Sequence, residues 1–133
     1  MPVSTEGKLL LDTHTFLWAS FAPQKLSAKA REWLMDGRTA LYLSVASLWE
    51  IEVKHEAGQL QAEAKVVDAS LRTLGVKPIA ITAGHLRTAA GLGKSRGSDP
   101  FDWMIAAQAM VEGLPVVTED AGFGRFAGLE VRW

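Results

Sequence analysis

Short apolar runs alternate with amphipathic stretches along this chain of 133 residues. The runs that close on a polar residue predict strands at 8–12, 40–44, 76–81, 115–120 and 129–133. Between them, apolar residues recur at helical spacing, and Gly or Pro stands near the ends of these stretches. Strands that alternate with helices favour crossover connections and a parallel sheet covered on both faces. The pattern therefore predicts an α/β fold, a three-layer α/β/α sandwich with a mostly parallel five-stranded sheet and six or seven helices.

Polar residues at the expected helix starts set the predicted boundaries. Ser47 is expected to cap the helix that follows the second strand, and Thr82 the helix that follows the third. Asp99 and Pro100 pair an N-cap with a proline at the first helical position. Pro78 lies inside the third predicted strand, which must therefore be an edge strand because proline cannot donate to a sheet ladder.

Composition narrows the class of protein. A hydrophobic fraction of 48% fits one globular domain over 1–133, with 1–7 as a flexible N-terminal tail. The absence of cysteine excludes disulfides, thiolate metal sites and cysteine nucleophiles, and three scattered histidines do not favour a zinc site. No signal-peptide layout and no apolar run of membrane length is visible, so a cytoplasmic protein without a membrane partner is expected. The net charge of −1 means that any contact with nucleic acid must be local.

Acidic residues stand where apolar runs stop. Asp12 follows the first strand, Glu50 and Asp102 lie near predicted helix starts, and Asp120 follows the fourth strand. In a parallel sheet such positions meet at the carboxyl edge, where open α/β folds bind ligands. Clustered carboxylates repel one another, and a hard divalent cation such as Mg²⁺ or Mn²⁺ offsets that repulsion with oxygen ligands. The joint pattern therefore predicts a metal site.

Each acid also has a local explanation. Glu50 completes a capping box with Ser47, Asp12 can cap the first helix, and Asp120 suits a turn. For a single residue the two readings are about equally good. Caps need not gather at one edge of a sheet, however, and the joint arrangement favours a site. Asp99 is expected to cap its helix or to support a ligand, and not to bind metal directly.

Four segments together resemble the PIN domain family. They are LLLDTHTFLW, LSVASLWEIEVK, DPFDWMIAAQAMVEGLPVVTED and GLEVRW, and they cover most of the chain in the family's order. Within that family the sequence is similar to VapC toxins of bacterial toxin–antitoxin pairs. One departure is visible, because relatives often carry HxDPFDR, whereas this chain has GSDPFDW. Trp103 thus stands where arginine is common.

The resemblance implies a function for the acids. Asp12, Glu50, Asp102 and Asp120 take the positions of the family's metal-binding residues, and a metal-dependent endoribonuclease with one or two Mg²⁺ or Mn²⁺ ions is implied. Asp12 and Asp102 are expected to be the central ligands. Glu50 is expected to be a ligand or a base that orients water, and Asp120 a more peripheral acid. The resemblance also implies an RNA substrate, a cognate antitoxin and a homodimer.

Several other residues are candidates for supporting roles. Thr118 can orient Asp120 or a metal-bound water, or simply bond to nearby backbone; Ser44 allows the same two readings. Lys94 and Arg96 lie in a Gly-rich loop just before Asp99, where they can meet an RNA phosphate or remain solvated. The same loop is not a P-loop, since threonine occupies the position that requires the first glycine.

Two alternatives remain open. A phosphatase of the haloacid dehalogenase type also places an aspartate after its first strand, but it requires a second aspartate two residues later, where this chain has His14. A non-catalytic module that binds a basic partner would use the same acidic surface. The tryptophans, Trp49 among them, are expected to lie mostly in the core.

Overall fold

A five-stranded, fully parallel sheet forms the middle layer of the protein. The computed structural model describes residues 7–93 and 99–133. The strands are β1 (Lys8–Leu11), β2 (Ala40–Ser44), β3 (Val76–Ile79), β4 (Val116–Val117) and β5 (Val131–Arg132). Their order across the sheet is β3-β2-β1-β4-β5, and every neighbouring pair is parallel. The predicted fold class is confirmed.

Helices connect the strands and cover the sheet. They are α1 (Thr13–Phe21), α2 (Ala28–Met35), α3 (Val45–Glu56), α4 (Ala64–Leu74), α5 (Ala83–Gly93) and α6 (Pro100–Glu112), with short 3-10 helices at Pro23–Lys25 and Ala121–Arg125. Helix α4 ends because Gly75 adopts a φ of +68°, a left-handed conformation that glycine takes without a steric penalty. Among these helices, none is both long and apolar enough to cross a bilayer.

The two faces of the sheet carry separate cores because successive side chains on a strand point in opposite directions. Leu9 and Leu11 of β1 face one layer, where they join Phe16 of α1 and buried residues of α2, α3 and α4. Leu10 faces the other layer and packs with Ile105 of α6. The alternation within a single strand thus builds the three-layer sandwich that the sequence predicts.

The connections leave β1 and β4 in opposite directions, which creates a crevice at the carboxyl edge. The chain passes from β1 to β2 and β3 on one side, and β4 and β5 lie on the other side of β1. Leu11 pairs with Val117, so the next residues, Asp12 and Thr118, emerge side by side. Such a topological switch point is where open α/β sheets bind their ligands.

Helix α3 begins earlier than the sequence suggested. The strand β2 runs directly into the helix, and Ser44 is the N-cap, with its hydroxyl accepting from the backbone N–H of Ala46 at 3.0 Å. Ser47 is therefore not a cap but a buried residue of the first turn. The prediction failed because two serines three positions apart both precede the helical pattern, and the turn chosen depends on where β2 ends.

Other boundaries differ from the predicted ones at the sheet's edges. The third, fourth and fifth strands are shorter than expected, since only the residues paired with a neighbour stay extended. Pro78 lies in β3, which is an edge strand, as proline requires. Helix α5 extends to Gly93, into the segment predicted as a loop. Lys94 and Arg96 lie outside the described residues, as does 1–6 of the expected N-terminal tail.

Candidate active site

Asp12 occupies the centre of the crevice. It follows β1 and caps α1, with Oδ1 accepting from the backbone N–H of Thr15 at 2.7 Å. Oδ2 accepts from the hydroxyl of Thr118. The side chain is only 5% exposed, and burial raises its pKa although both hydrogen bonds and His14 act in the opposite direction. Asp12 is thus a fixed carboxylate with both oxygens oriented.

Thr118 joins Asp12 to Asp120. Its hydroxyl donates to Asp12 and also accepts from the backbone N–H of Asp120 at 2.9 Å. The sequence left open whether Thr118 orients Asp120 or a metal-bound water, or bonds to nearby backbone; the structure has the bond to nearby backbone, and in addition a side-chain contact with Asp12. The Asp120 carboxylate instead caps the second 3-10 helix by accepting from Gly122 N–H at 2.8 Å. Thr118 therefore fixes the relative positions of two predicted ligands.

Glu50 enters the crevice from the second turn of α3. It is almost fully buried, and its Oε1 accepts from the hydroxyl of Thr13 at 2.7 Å, while Oε2 pairs with Lys54 Nζ at 2.7 Å. Thr13 is also hydrogen-bonded to the hydroxyl of Ser47 at 2.9 Å. The capping-box role of Glu50 is wrong, since its carboxylate is directed towards Thr13 and Lys54 and not back to the helix start.

Asp102 lies near the other acids of the site. It lies in the first turn of α6, half-buried, while Asp99 caps that helix by accepting from Phe101 N–H at 2.9 Å. The pKa of Asp102 is raised to about 7, first by burial and then by repulsion from Asp99, Glu50, Asp120 and Asp12. We call these five residues the acidic cluster. The four other acids thus lie near enough to Asp102 for their charges to act on it.

The acidic cluster suits a hard divalent cation by its chemistry. All its side-chain donors are carboxylate oxygens, which Mg²⁺ and Mn²⁺ prefer, and an ion would relieve the repulsion at Asp102. Within residues 7–93 and 99–133, however, no three Asp, Glu or His side chains converge closely enough to hold one ion in this conformation. Glu50 and Asp120 are engaged in other hydrogen bonds. An ion held by three of these carboxylates at once would therefore require some of the side chains to turn.

A cavity of about 440 Å³, which we call the acid cleft, opens beside Asp12. Its lining residues are Asp12, His14, Trp18, Glu119, Asp120 and Ala121. His14 is exposed, and its ring lies 6.1 Å from that of Trp18. Asp12 thus lines the acid cleft although its side chain is almost fully buried.

Two aromatic residues near the site differ from expectation. Trp49, which was expected in the core, is 63% exposed, and its ring meets that of Phe101 edge-on at 5.1 Å. Trp103 packs against Gly93 of α5, where a Cβ would lie 2.5 Å from the indole ring. Its indole N–H is buried and has no hydrogen-bond partner in the part of the chain that the structure describes. An apolar contact with α5 thus replaces the basic side chain that the resemblance leads one to expect.

Sequence reasoning missed Thr13, Thr15, Lys54 and Glu119. Thr15 links α1 to β4 by donating to the carbonyl of Val117 at 2.9 Å. Lys54 follows Glu50 by four residues, the spacing at which a glutamate and a lysine meet on a helix, so this pair carried a readable signal. Nothing in the local pattern pointed to the threonines, because their partners are distant in sequence.

Comparison with known proteins agrees with this geometry. A family profile described as PIN domain matches residues 9–129. The chain is 32% identical over 114 residues to Ribonuclease VapC22 of Mycobacterium tuberculosis, covering 84% of this chain and 86% of that protein. Among solved structures, VapBC2 from Rickettsia felis bound to a promoter DNA fragment aligns with a TM-score of 0.69 at 17% identity, covering 94% of this chain and 97% of that one. VapBC-5 from Mycobacterium tuberculosis aligns with a TM-score of 0.58 at 25% identity, covering 95% and 96%.

The chain belongs to the PIN domain family and, within it, to the VapC group. This membership gives no support to the haloacid dehalogenase alternative. It agrees with the resemblance carried by the four sequence segments.

Proposed function

We propose that this protein is a metal-dependent endoribonuclease that hydrolyses RNA phosphodiester bonds and acts as the toxin of a toxin–antitoxin pair. The observation that carries the proposal is the gathering of the acidic cluster at the switch point, where burial first and then repulsion from the other four acids raise the pKa of Asp102 to about 7. A charge cluster of this kind, at the position where the fold binds ligands, calls for a cation. The relative with 32% identity is named a ribonuclease.

Asp12 and Asp102 are the proposed central ligands, with Glu50 as a ligand or water-orienting base and Asp120 at the periphery. A bound Mg²⁺ or Mn²⁺ supplies the acidity that turns water into a nucleophile near neutral pH and the positive charge that a reacting phosphodiester needs. One ion or two fit this proposal equally well. No side-chain nucleophile is required, in agreement with the absence of cysteine.

The protein's own residues prepare this chemistry. Thr15 and Thr118 fix the Asp12 carboxylate, so little reorganisation is needed there. The N-terminus of α6 favours the charged form of Asp102, because the first backbone N–H groups of a helix carry partial positive charge. In the acid cleft, Trp18 offers a ring face against which a nucleobase can stack.

We further propose a cognate antitoxin and a homodimer in the cytoplasm. Solved neighbours include a toxin–antitoxin complex from Klebsiella pneumoniae with a TM-score of 0.63, and an antitoxin that presents a basic side chain would match the acid cleft. Val45, Trp49 and Val53 form an exposed apolar stripe along α3, which suits a protein contact. A mass measurement of the free protein at micromolar concentration tests the dimer, which a clean monomer would exclude.

The test of the enzymatic proposal uses the purified full chain and a defined RNA. Cleavage is expected with Mg²⁺ or Mn²⁺, to stop with EDTA and to resume when excess metal is returned. Asp102→Asn is expected to lose cleavage under all conditions. Cleavage that persists in EDTA or in Asp102→Asn would refute the proposal. Absence of cleavage by a folded, metal-loaded wild type would favour the non-catalytic binding module.

A further inference from the structure

Among residues 7–93 and 99–133, Lys54 is the basic residue that forms an ion pair with the acidic cluster. Its Nζ lies 2.7 Å from Glu50 Oε2, one helical turn away on α3. The glutamate side chain is 5% exposed and that of the lysine 39%. An ion pair with one buried partner is less screened by solvent than an ordinary surface pair, so this contact is a significant part of the local charge balance.

The other ion pairs of the described chain lie away from the acidic cluster. They are Arg38 with Asp36, Lys65 with Glu63, His85 with Glu112, and Arg132 with Glu130. Within residues 7–93 and 99–133, Lys54 therefore supplies the ion pair to the cluster. In the described part of the chain, by contrast, the groups that shift the pKa of Asp102 are all acidic.

Both carboxylate oxygens of Glu50 are engaged, since Oε1 accepts from Thr13 and Oε2 pairs with Lys54. Within residues 7–93 and 99–133, Glu50 does not converge with two other acids on a single point, and these two contacts hold it in its observed position. Space for another position of the Lys54 side chain exists, because Lys54 also lines a groove of about 320 Å³ between α1 and α3. His14 and Trp18 line both this groove and the acid cleft.

We infer that Lys54 is a positioning residue that acts as an internal counterion for Glu50, and that a divalent ion must displace it before Glu50 can become a ligand. This inference rests on the proposed metal-dependent function. The Glu50–Lys54 pair then sets the concentration of metal at which the site fills. When the pair opens, the ammonium group turns into the α1–α3 groove, where it can meet a phosphate of the substrate.

The direction of the effect follows from charge. A divalent ion at the cluster is repelled by the ammonium group and competes with it for the same carboxylate. Removal of the lysine charge should therefore strengthen metal binding, although it removes a favourable contact. A residue whose role is only to support the fold would have the opposite effect, because a loosened site binds metal less well.

The experiment measures the binding of Mn²⁺ to the chelator-treated full chain by titration calorimetry, without RNA. Lys54→Met keeps the aliphatic stem and removes the charge, and Lys54→Arg keeps the charge. Lys54→Met is expected to bind Mn²⁺ roughly tenfold more tightly than wild type, and Lys54→Arg within about twofold of it. In the background of Glu50→Gln, the same lysine substitution should change the affinity much less, because the competition no longer exists.

Equal or weaker Mn²⁺ binding by a folded Lys54→Met would overturn the inference while leaving the proposed metal site intact. An undiminished effect in the Glu50→Gln background would also overturn it, since the lysine would then act without Glu50. Absence of Mn²⁺ binding in wild type and in all variants would instead refute the proposed function itself. Thermal unfolding of each variant establishes that the proteins compared are folded.

Discussion

Thr118 donates a hydrogen bond to Oδ2 of Asp12 across 106 positions of sequence. The contact exists because Leu11 and Val117 are paired in the sheet, so the first residue beyond each strand stands beside the other. The same hydroxyl accepts from the backbone N–H of Asp120. One threonine thus couples the sheet register to the placement of two acids, and the geometry of the site depends on the pairing of β1 with β4.

Substitution of Thr118 by valine preserves the shape of the side chain and removes this coupling. We expect Thr118→Val to lower the free energy of unfolding by about 1–3 kcal/mol, because it leaves a buried carboxylate oxygen and a backbone N–H unpaired. RNA cleavage should fall at least tenfold. Thr118→Ser, which keeps the hydroxyl, is the control and should retain most of both properties. Urea unfolding and a cleavage assay make the comparison; a fully active Thr118→Val would show that the coupling is dispensable.

Asp12→Asn separates the role of the charge from that of the cap. Burial already opposes the charge of this residue, and the amide oxygen of asparagine can still accept from Thr15 N–H. We therefore expect a change in the free energy of unfolding within about 1 kcal/mol together with the loss of metal-dependent cleavage. Circular dichroism and the cleavage assay test the two parts. Retained cleavage by the pure, folded variant would remove Asp12 from the proposed ligand set.

Asp102 should make the metal-free protein less stable as the pH rises. Its pKa is about 7 in the folded protein against 3.8 for an ordinary aspartate, so between these values the folded state keeps a proton that the unfolded state releases. The contribution of Asp102 to stability is then fully present below about pH 4 and is lost as the pH rises through about 7. Because Asp102 is only half-buried, solvent screening reduces the expected effect to about 1–2 kcal/mol.

Asp102→Asn tests this dependence. In EDTA at about pH 8 the variant should be more stable than wild type by about 1–2 kcal/mol, and near pH 4 the two should agree. Asp68→Asn, which removes an exposed carboxylate from α4, should follow wild type at both values. Urea unfolding at the two pH values provides the measurement. A variant that is less stable than wild type at about pH 8 would contradict the assignment of repulsion to this residue.

Gly93 should tolerate no side chain while Trp103 is present. A Cβ at this position would lie 2.5–2.8 Å from the indole ring, and the close packing of α5 on α6 leaves the ring little room to move. We expect Gly93→Ala to lower the free energy of unfolding by about 1–3 kcal/mol. Gly91→Ala on the same helix meets nothing within 4 Å and should stabilise the protein by up to about 1 kcal/mol. Thermal unfolding compares the two, and equal stability of both variants would contradict the packing argument.

The order of the strands and helices was predictable because apolar residues recur at different spacings in the two kinds of element. Polar residues also mark the boundaries between them. The acids could be found since each one ends an apolar run. Their hydrogen-bond partners could not, as Thr13 meets Glu50 and Thr118 meets Asp12 only after the sheet register is fixed. Sequence spacing carries no information about contacts between residues 37 or 106 positions apart.

The errors about the start of α3 and the burial of Trp49 arose where the local sequence allowed more than one structure. Ser44 and Ser47 both satisfy the chemistry of an N-cap, and the choice depends on the last pairing of β2 with β3, which ends at Ser44 and Ile79. Trp49 lies at a position where the helical spacing predicts a core residue. Helix α3 packs against α1 and α6, and the side of α3 that carries Trp49 is left uncovered. Burial there is decided by the arrangement of the neighbouring helices and not by the period of the sequence.

Three members of the acidic cluster also begin helices: Asp12 starts α1, Asp99 starts α6 and Asp120 starts the second 3-10 helix. The residue type at these three positions is therefore constrained both by the proposed site and by the helix cap. A descendant of this protein that abandoned catalysis would still need a short polar side chain such as asparagine or serine at these places. Asp102 starts no helix and is only half-buried, so an inactive descendant should diverge first at that position. Glu50 also starts no helix, but its buried contacts with Thr13 and Lys54 restrict what can replace it.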